Sequence, residues 1–205
     1  YCSGGGTARL EPDKNNLHLD NAIITNSCTI DGLGAGIVSY LPNLNIWISK
    51  GENIISNVYG AGITTGNSVD ANGATIARNI VFTQSATLRI YTTNEASGYG
   101  VYCTGSSLNP SGLFLIDIDS AKDGLIAPDG VTFGVYASNA PRVDIDARDG
   151  YGIYTTNNFI YSPENRTSPT YIKIKASKDG IYCNDFKFSH RGSIDIDAGE
   201  DGIDC

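Results

Sequence analysis

Four short phrases in the second half of the chain alternate apolar and polar residues without a break: Ile116-Asp117-Ile118-Asp119, Val143-Asp144-Ile145-Asp146, Ile172-Lys173-Ile174-Lys175 and Ile194-Asp195-Ile196-Asp197. A period of two marks a strand with one buried face, not a helix. A glycine and a second apolar residue follow each phrase, as in Gly124-Leu125, Gly152-Ile153, Gly180-Ile181 and Gly202-Ile203. The second isoleucines of consecutive phrases lie 27 (118 to 145), 29 (145 to 174) and 22 (174 to 196) residues apart. Such a period belongs to units that bury their apolar faces only by stacking on one another. The pattern predicts an all-β, single-stranded, right-handed parallel β-helix, a solenoid with three short strands per coil.

The last coils divide most clearly: 171–176, 180–183 and 186–188, then 193–198 and 202–205, preceded by 142–147, 152–155 and 158–161 with 162–170 as a protruding loop. Upstream, the same register is followed through 87–91 with 100–103, 44–48 with 62–64, and 17–20 with 36–38. Counted this way, Ile48 and Ile90 are 42 residues apart, which predicts an insertion within 66–74. A single repeating signature implies one domain over residues 1–205, with 1–16 as an N-terminal cap. The chain stops in mid-coil without a polar cap, so it is expected to continue in the native protein or to meet a partner; a simple boundary is the plainer explanation.

Composition narrows the function. The 205 residues include 24 glycines and carry a net charge of −8, with a pI near 4.6. An acidic balance argues against nucleic acid and against anionic membrane surfaces as partners. No run of apolar residues is long enough to span a bilayer. Methionine is absent even at position 1, as in a processed product or fragment, which leaves room for a removed signal peptide. The expectation is a secreted or cell-surface protein.

The five cysteines are odd in number. Cys103, Cys183 and Cys205 each end a Gly-Val-Tyr, Gly-Ile-Tyr or Gly-Ile-Asp sequence, so alternation turns all three inward. Two readings stand: free thiols packing as small apolar groups, or a bridge between Cys183 and Cys205 on neighbouring coils. Cys2 and Cys28 are a second candidate pair in an oxidising compartment. No spacing suggests zinc.

Outward positions on the first strand of each coil are expected to stack as His18 and Asp20, Asn45 and Trp47, Arg89 and Tyr91, Asp117 and Asp119, Asp144 and Asp146, Lys173 and Lys175, Asp195 and Asp197. A solvated charged face explains this ladder. So does a shallow polar strip for a sugar chain, with Trp47 and Tyr91 as stacking platforms and Asp117 and Asp144 as polar contacts. Tyr102, Tyr154 and Tyr182 form a second outward column, which Tyr136 also fits. It suits pyranose rings or simply strengthens the sheet.

Asp123, Asp149, Asp179 and Asp201 each precede a glycine at a corner, as does Asp31. Turn chemistry accounts for the pairs. Calcium is the one candidate cofactor, because corner carboxylates would stand near those of Asp119, Asp146 and Asp197, and Ca²⁺ takes several hard oxygens. The candidate metal set is Asp119, Asp123, Asp146, Asp149, Asp197 and Asp201. Catalysis has a weak signature. A lyase needs an Arg or Lys base, for which Arg89, Arg142 and Arg148 are formal candidates. Paired carboxylates at hydrolase spacing occur all along the ladder and single out none. His18 and His190 stand alone.

The segment order Thr7-Ala-Arg-Leu-Glu-Pro-Asp-Lys-Asn-Asn-Leu-His-Leu-Asp-Asn-Ala-Ile-Ile-Thr25, Gly36-Ile-Val, 44–56, 98–102 and the Asp-Gly-Ile repeats resembles secreted or cell-surface β-helix proteins of gut and cellulolytic Firmicutes that carry carbohydrate-binding domains. That likeness covers nearly the whole chain, and some such relatives look like pectate-lyase helices that bind cellulose or pectic polymers with calcium. It implies a non-catalytic extracellular module whose partner is a polysaccharide or glycan. An adhesin or structural solenoid with a surface protein as partner is the alternative, and a pectate-lyase-like polysaccharide lyase the second.

Overall fold

The computed structural model of the chain describes residues 6–25, 27–30, 33–57, 60–65, 72, 77–83, 86–103, 105–109, 115–135, 142–163, 170–188 and 192–205. The alternating phrases are strands. Leu115–Ser120, Arg142–Ala147, Thr170–Ala176 and Gly192–Ala198 lie parallel with Ile23–Ile24, Glu52–Asn57 and Thr87–Thr92 in sheet A. Sheet B contains Asn16–Asp20, Asn43–Lys50, Asn79–Thr83, Gly105–Asn109, Val131–Val135, Asn158–Pro163 and Asp185–Phe188. Sheet C contains Leu33–Ser39, Gly60–Thr65, Val101–Tyr102, Leu125–Ile126, Ile153–Tyr154, Ile181–Tyr182 and Ile203–Asp204.

The protein is therefore all-β and mostly parallel. Among the described residues the chain visits sheet B, then A, then C, and makes this circuit seven times. Antiparallel pairing occurs where Thr7–Glu11 lies along Asn16–Asp20 and where Cys28–Ile30 pairs with Leu33–Ser39. The first of these gives the edge of sheet B a partner, as expected of the N-terminal segment.

Isoleucines set the register of sheet A. Ile55, Ile90, Ile118, Ile145, Ile174 and Ile196 stand opposite one another across successive strands. They point into one hydrophobic cluster shared by all three sheets, with Ile46, Phe82 and Phe159 from sheet B and Ile63, Val101 and Ile181 from sheet C. Each fully buried side chain of this size contributes about 1.5–3 kcal/mol relative to exposure.

The repeated glycine has a steric cause. A Cβ on Gly152 would stand 2.2 Å from Ile174 Cγ2 and 2.5 Å from the carbonyl oxygen of Gly180, both on the next circuit. Gly36, Gly62, Gly100, Gly124 and Gly180 face the same obstruction, each from the next circuit's isoleucine and glycine. Isoleucine and glycine in the repeated phrase are thus partners across circuits.

Corner polar groups are satisfied internally, as burial demands. Asn53, fully buried, accepts from Ala22 N–H at 2.9 Å and donates to the carbonyls of Lys50 and Thr87 at 3.1 and 3.2 Å. It joins three successive circuits through one side chain.

Three sequence expectations change. Residues 17–20 and 44–48 belong to sheet B, and the sheet A strands of their circuits are Ile23–Ile24 and Glu52–Asn57. Asn53, a polar residue at an inward position, broke the alternation that would have marked the latter strand. The true spacing from Ile55 to Ile90 is 35 residues, not the 42 counted from Ile48. The extra length lies between Gly60–Thr65 and Asn79–Thr83, and the expected insertion at 66–74 falls outside the described residues except for Asn72. Residues 164–169 of the expected loop, Asp31, Tyr136, His190 and Cys2 also fall outside them.

Candidate functional site

Alternation in sheet A that buries isoleucine necessarily turns its neighbours to solvent. Two columns result. Arg89, Asp117, Asp144, Lys173 and Asp195 stand opposite one another in one; Tyr91, Asp119, Asp146, Lys175 and Asp197 form the other. Their continuation toward the N-terminus is Ile54 and Ser56, not Asn45 and Trp47. Trp47 lies on sheet B beside His18, with ring centroids 5.3 Å apart. Trp47 and Tyr91 consequently sit on different sheets and form no common platform.

Rungs of like charge about 4.8 Å apart repel unless a cation intervenes. Here arginine and lysine intervene. Arg89 pairs with Glu52 at 2.5 Å and with Asp117, and hydrogen bonding to Glu52 is the main reason its pKa is raised. Arg142 pairs with Asp144 at 2.7 Å, which likewise raises its pKa. Lys175 reaches Asp146 at 3.6 Å, and Arg148 reaches Asp119 at 3.2 Å. Arg148 also donates to the carbonyl of Thr92 at 2.6 Å, so it clamps circuits as well as neutralising charge.

A shallow cleft of about 190 Å³ opens between these rungs, lined by Asp117, Arg142, Asp144, Asp146, Lys173 and Lys175. Beside it the Tyr171 ring lies 5.4 Å from the Arg142 guanidinium, and its hydroxyl donates to Asp195 at 3.2 Å. Tyr171 escaped the sequence reading because it precedes the Ile-Lys-Ile-Lys phrase. Two residues before Lys173 is nonetheless the same face, and that signal was present.

The second predicted column is in register on sheet C. Tyr102, Ile126, Tyr154, Tyr182 and Asp204 succeed one another, so Ile126 separates Tyr102 from the other two tyrosines. Tyr154 and Tyr182 stack at 5.1 Å with only 8° between planes. Their facing surfaces are therefore occupied by each other. Tyr151 adds a third ring, 5.2 Å from Tyr154 and 5.7 Å from Tyr182, with Lys178 Nζ 4.9 Å from its centroid.

The corner aspartates divide. Asp123 and Asp179 precede column glycines and accept backbone N–H groups of the following circuit, from Tyr151 at 2.7 Å and Asp201 at 3.0 Å. Burial pushes the Asp123 carboxyl above its usual range, partly offset by that N–H. Asp149 does not join the column, because the register glycine is Gly152 and the residue preceding it is Tyr151. Asp149 is exposed, as are Asp197 and Asp201. Among the described residues no three His, Cys, Asp or Glu side chains are grouped to hold a metal. The six aspartates expected to hold calcium serve here as ion-pair partners, as backbone acceptors or as solvated groups.

Cys103 and Cys183 are buried; Cys205, the final residue, is exposed, with its sulfur 3.2 Å from that of Cys183. Cys28 is also exposed. No family model matches the chain, and no curated protein and no solved structure matches it.

Proposed function

We propose that the three sheets wind into one right-handed parallel β-helix, and that the protein is a non-catalytic extracellular module that binds polysaccharide across sheet A. The circuit B–A–C repeated around a single apolar core supports the winding. The observation that carries the binding reading is the cleft of about 190 Å³ where carboxylates alternate with Arg142, Lys173 and Lys175 beside the Tyr171 ring. Donors, acceptors and an aromatic surface in one strip suit a chain of hydroxylated rings. Its volume is below the roughly 300–1,000 Å³ of enclosing pockets, as suits a polymer laid across rungs.

The non-catalytic reading rests on the arginines. A lyase base must be deprotonated to accept a proton from the sugar, whereas Arg89 and Arg142 are held as cations by carboxylates and Arg148 is engaged by Asp119 and the Thr92 carbonyl. Affinity electrophoresis through gels containing polygalacturonate, xylan or mixed-linkage glucan tests the site. Retardation by at least one polymer is expected, weakened in a Tyr171→Ala/Lys173→Ala variant and unchanged in Trp47→Ala. Equal retardation of all three proteins rules out the sheet A site. Unsaturated-product absorbance on polygalacturonate would end the non-catalytic reading.

A further inference from the structure

Cys183 and Cys205 occupy equivalent places on the last two circuits. Ile181 pairs with Ile203 and Tyr182 with Asp204, and the Cys183 N–H then donates to the Asp204 carbonyl at 2.9 Å. This register carries the two sulfurs to 3.2 Å from each other. Corresponding positions on earlier circuits hold Thr155 and Ala127, so the pairing of thiols is peculiar to this end of the stack. A small cleft of about 170 Å³ beside this pair is lined by Thr156, Tyr182, Cys183, Asn184, Asp204 and Cys205.

We propose that Cys183 and Cys205 form a modification site, a dithiol that a low-molecular-weight disulfide converts into a covalent bond between the last two circuits. Neighbouring parallel strands hold equivalent Cα atoms within the roughly 4.4–6.8 Å that a disulfide spans. A metal is the competing use of two thiols, and the geometry disfavours it. Tetrahedral zinc with Zn–S bonds of about 2.3 Å would hold two sulfurs about 3.8 Å apart. At 3.2 Å they are closer than that, and no third ligand of this type is grouped with them among the described residues.

The order of events follows from exposure. Cys183 is buried and burial raises its thiol pKa, so the first thiolate to attack a sulfur of the reagent is that of Cys205. A Cys205–reagent disulfide forms, and the first reagent thiolate leaves and takes up the proton that Cys205 released. Cys183, deprotonated in turn, attacks Cys205 Sγ; the second reagent thiol departs with the remaining proton. Two protein thiols are oxidised by two electrons in total, and one reagent disulfide is reduced to two thiols. Burial, then the neighbouring Cys205, push the Cys183 thiol up to about 12, which makes this second step the slow one.

The reduced 205-residue chain, treated with glutathione disulfide at mildly alkaline pH, alkylated and digested with trypsin without reductant, tests the proposal. Peptides 179–187 and 192–205 are expected to appear joined, lighter than their reduced sum by two hydrogens. The oxidised protein should melt about 5–10 °C higher than the reduced one, because the bond closes a 22-residue loop. Cys205→Ser must abolish the joined peptide, and Cys103→Ser must leave it intact. Recovery of both peptides alkylated, a lasting glutathione adduct on Cys205, or Cys205 joined to Cys205 of a second chain would each overturn the assignment.

Discussion

Sheets A and C are built by the same circuits, yet they tolerate change very differently. On the outward face of sheet A the occupants vary from rung to rung: Arg89, two aspartates, Lys173, then Asp195. Immediately before Ile37, Ile63, Val101, Leu125, Ile153 and Ile181 of sheet C the occupant is always glycine, because the next circuit's isoleucine fills the space a Cβ would need. Solvent accepts either sign of charge provided a neighbour compensates; a packed interior accepts one volume. Residue identity is therefore dictated where circuits touch and open to function where they face water.

The largest break in this contrast should come from the core. Ile174→Ala is expected to cost about 2–5 kcal/mol by urea unfolding, and its outward neighbour Lys173→Ala no more than about 0.5 kcal/mol. Similar costs for both would dissolve the distinction between inner and outer positions. Gly152→Ala should cost about 1–3 kcal/mol by overpacking. The equivalent Gly202→Ala, whose Cβ would meet nothing within 4 Å, should be nearly neutral. Equal midpoints for these two variants would remove close packing as the reason for the glycine column.

Titration sharpens the same contrast at a buried thiol. Burial pushes Cys103 up to about 12, so the folded protein keeps a proton that the unfolded chain sheds near pH 8.5–9. Stability from this group is complete below the unfolded value and is lost as pH rises toward 12, with a slope of up to ~1.4 kcal/mol per pH unit. Melting temperatures from pH 8 to 11 should fall less steeply in Cys103→Ala; parallel curves would show that this thiol does not titrate as its burial implies.

On the charged face the effects shrink. Arg89→Ala leaves Glu52 and Asp117 without their shared cation, yet partly exposed pairs are worth about 1 kcal/mol or less. Added salt near 1 M, where screening acts within about 3 Å, should narrow the difference from the parent protein. Smallest of all is Asp123→Asn. It retains an acceptor for the Tyr151 N–H while removing a partly desolvated charge, so the denaturation midpoint should barely move; Asp123→Ala should cost about 1 kcal/mol.

Much of the fold was legible because strand alternation is local. From Thr87 onward each sheet A strand was recovered within a residue or two of its ends, and the order of the two outward columns was right. The first two circuits were misaligned because Asn53 faces inward and breaks the apolar rhythm, while Leu44, Ile46 and Ile48 mimic it on sheet B. Asp149 was misplaced for a related reason. Asp149-Gly150 and Tyr151-Gly152 are adjacent Xaa-Gly pairs; the repeat itself marks Gly152, but the likeness of Asp149-Gly150 to the other Asp-Gly corners hides that Tyr151 is the residue preceding the register glycine. Tyr151 and Tyr171, both beside the candidate surfaces, stand just before the repeated residues Gly152 and Ile172 and so carry no repeat signature of their own.

The amino-acid sequence by itself determined the strands, their period, the inward row of isoleucines and the acidic outer ladder, because each depends on residues a few positions apart. Tertiary structure decided which strands share a sheet, and with it the separation of Trp47 from Tyr91. It also decided that arginine and lysine answer the aspartates, and that two thiols 22 residues apart in sequence lie 3.2 Å apart in space. Those outcomes depend on how one circuit lands on the next. An offset of one residue there reverses every side chain, and only the packed stack selects the offset.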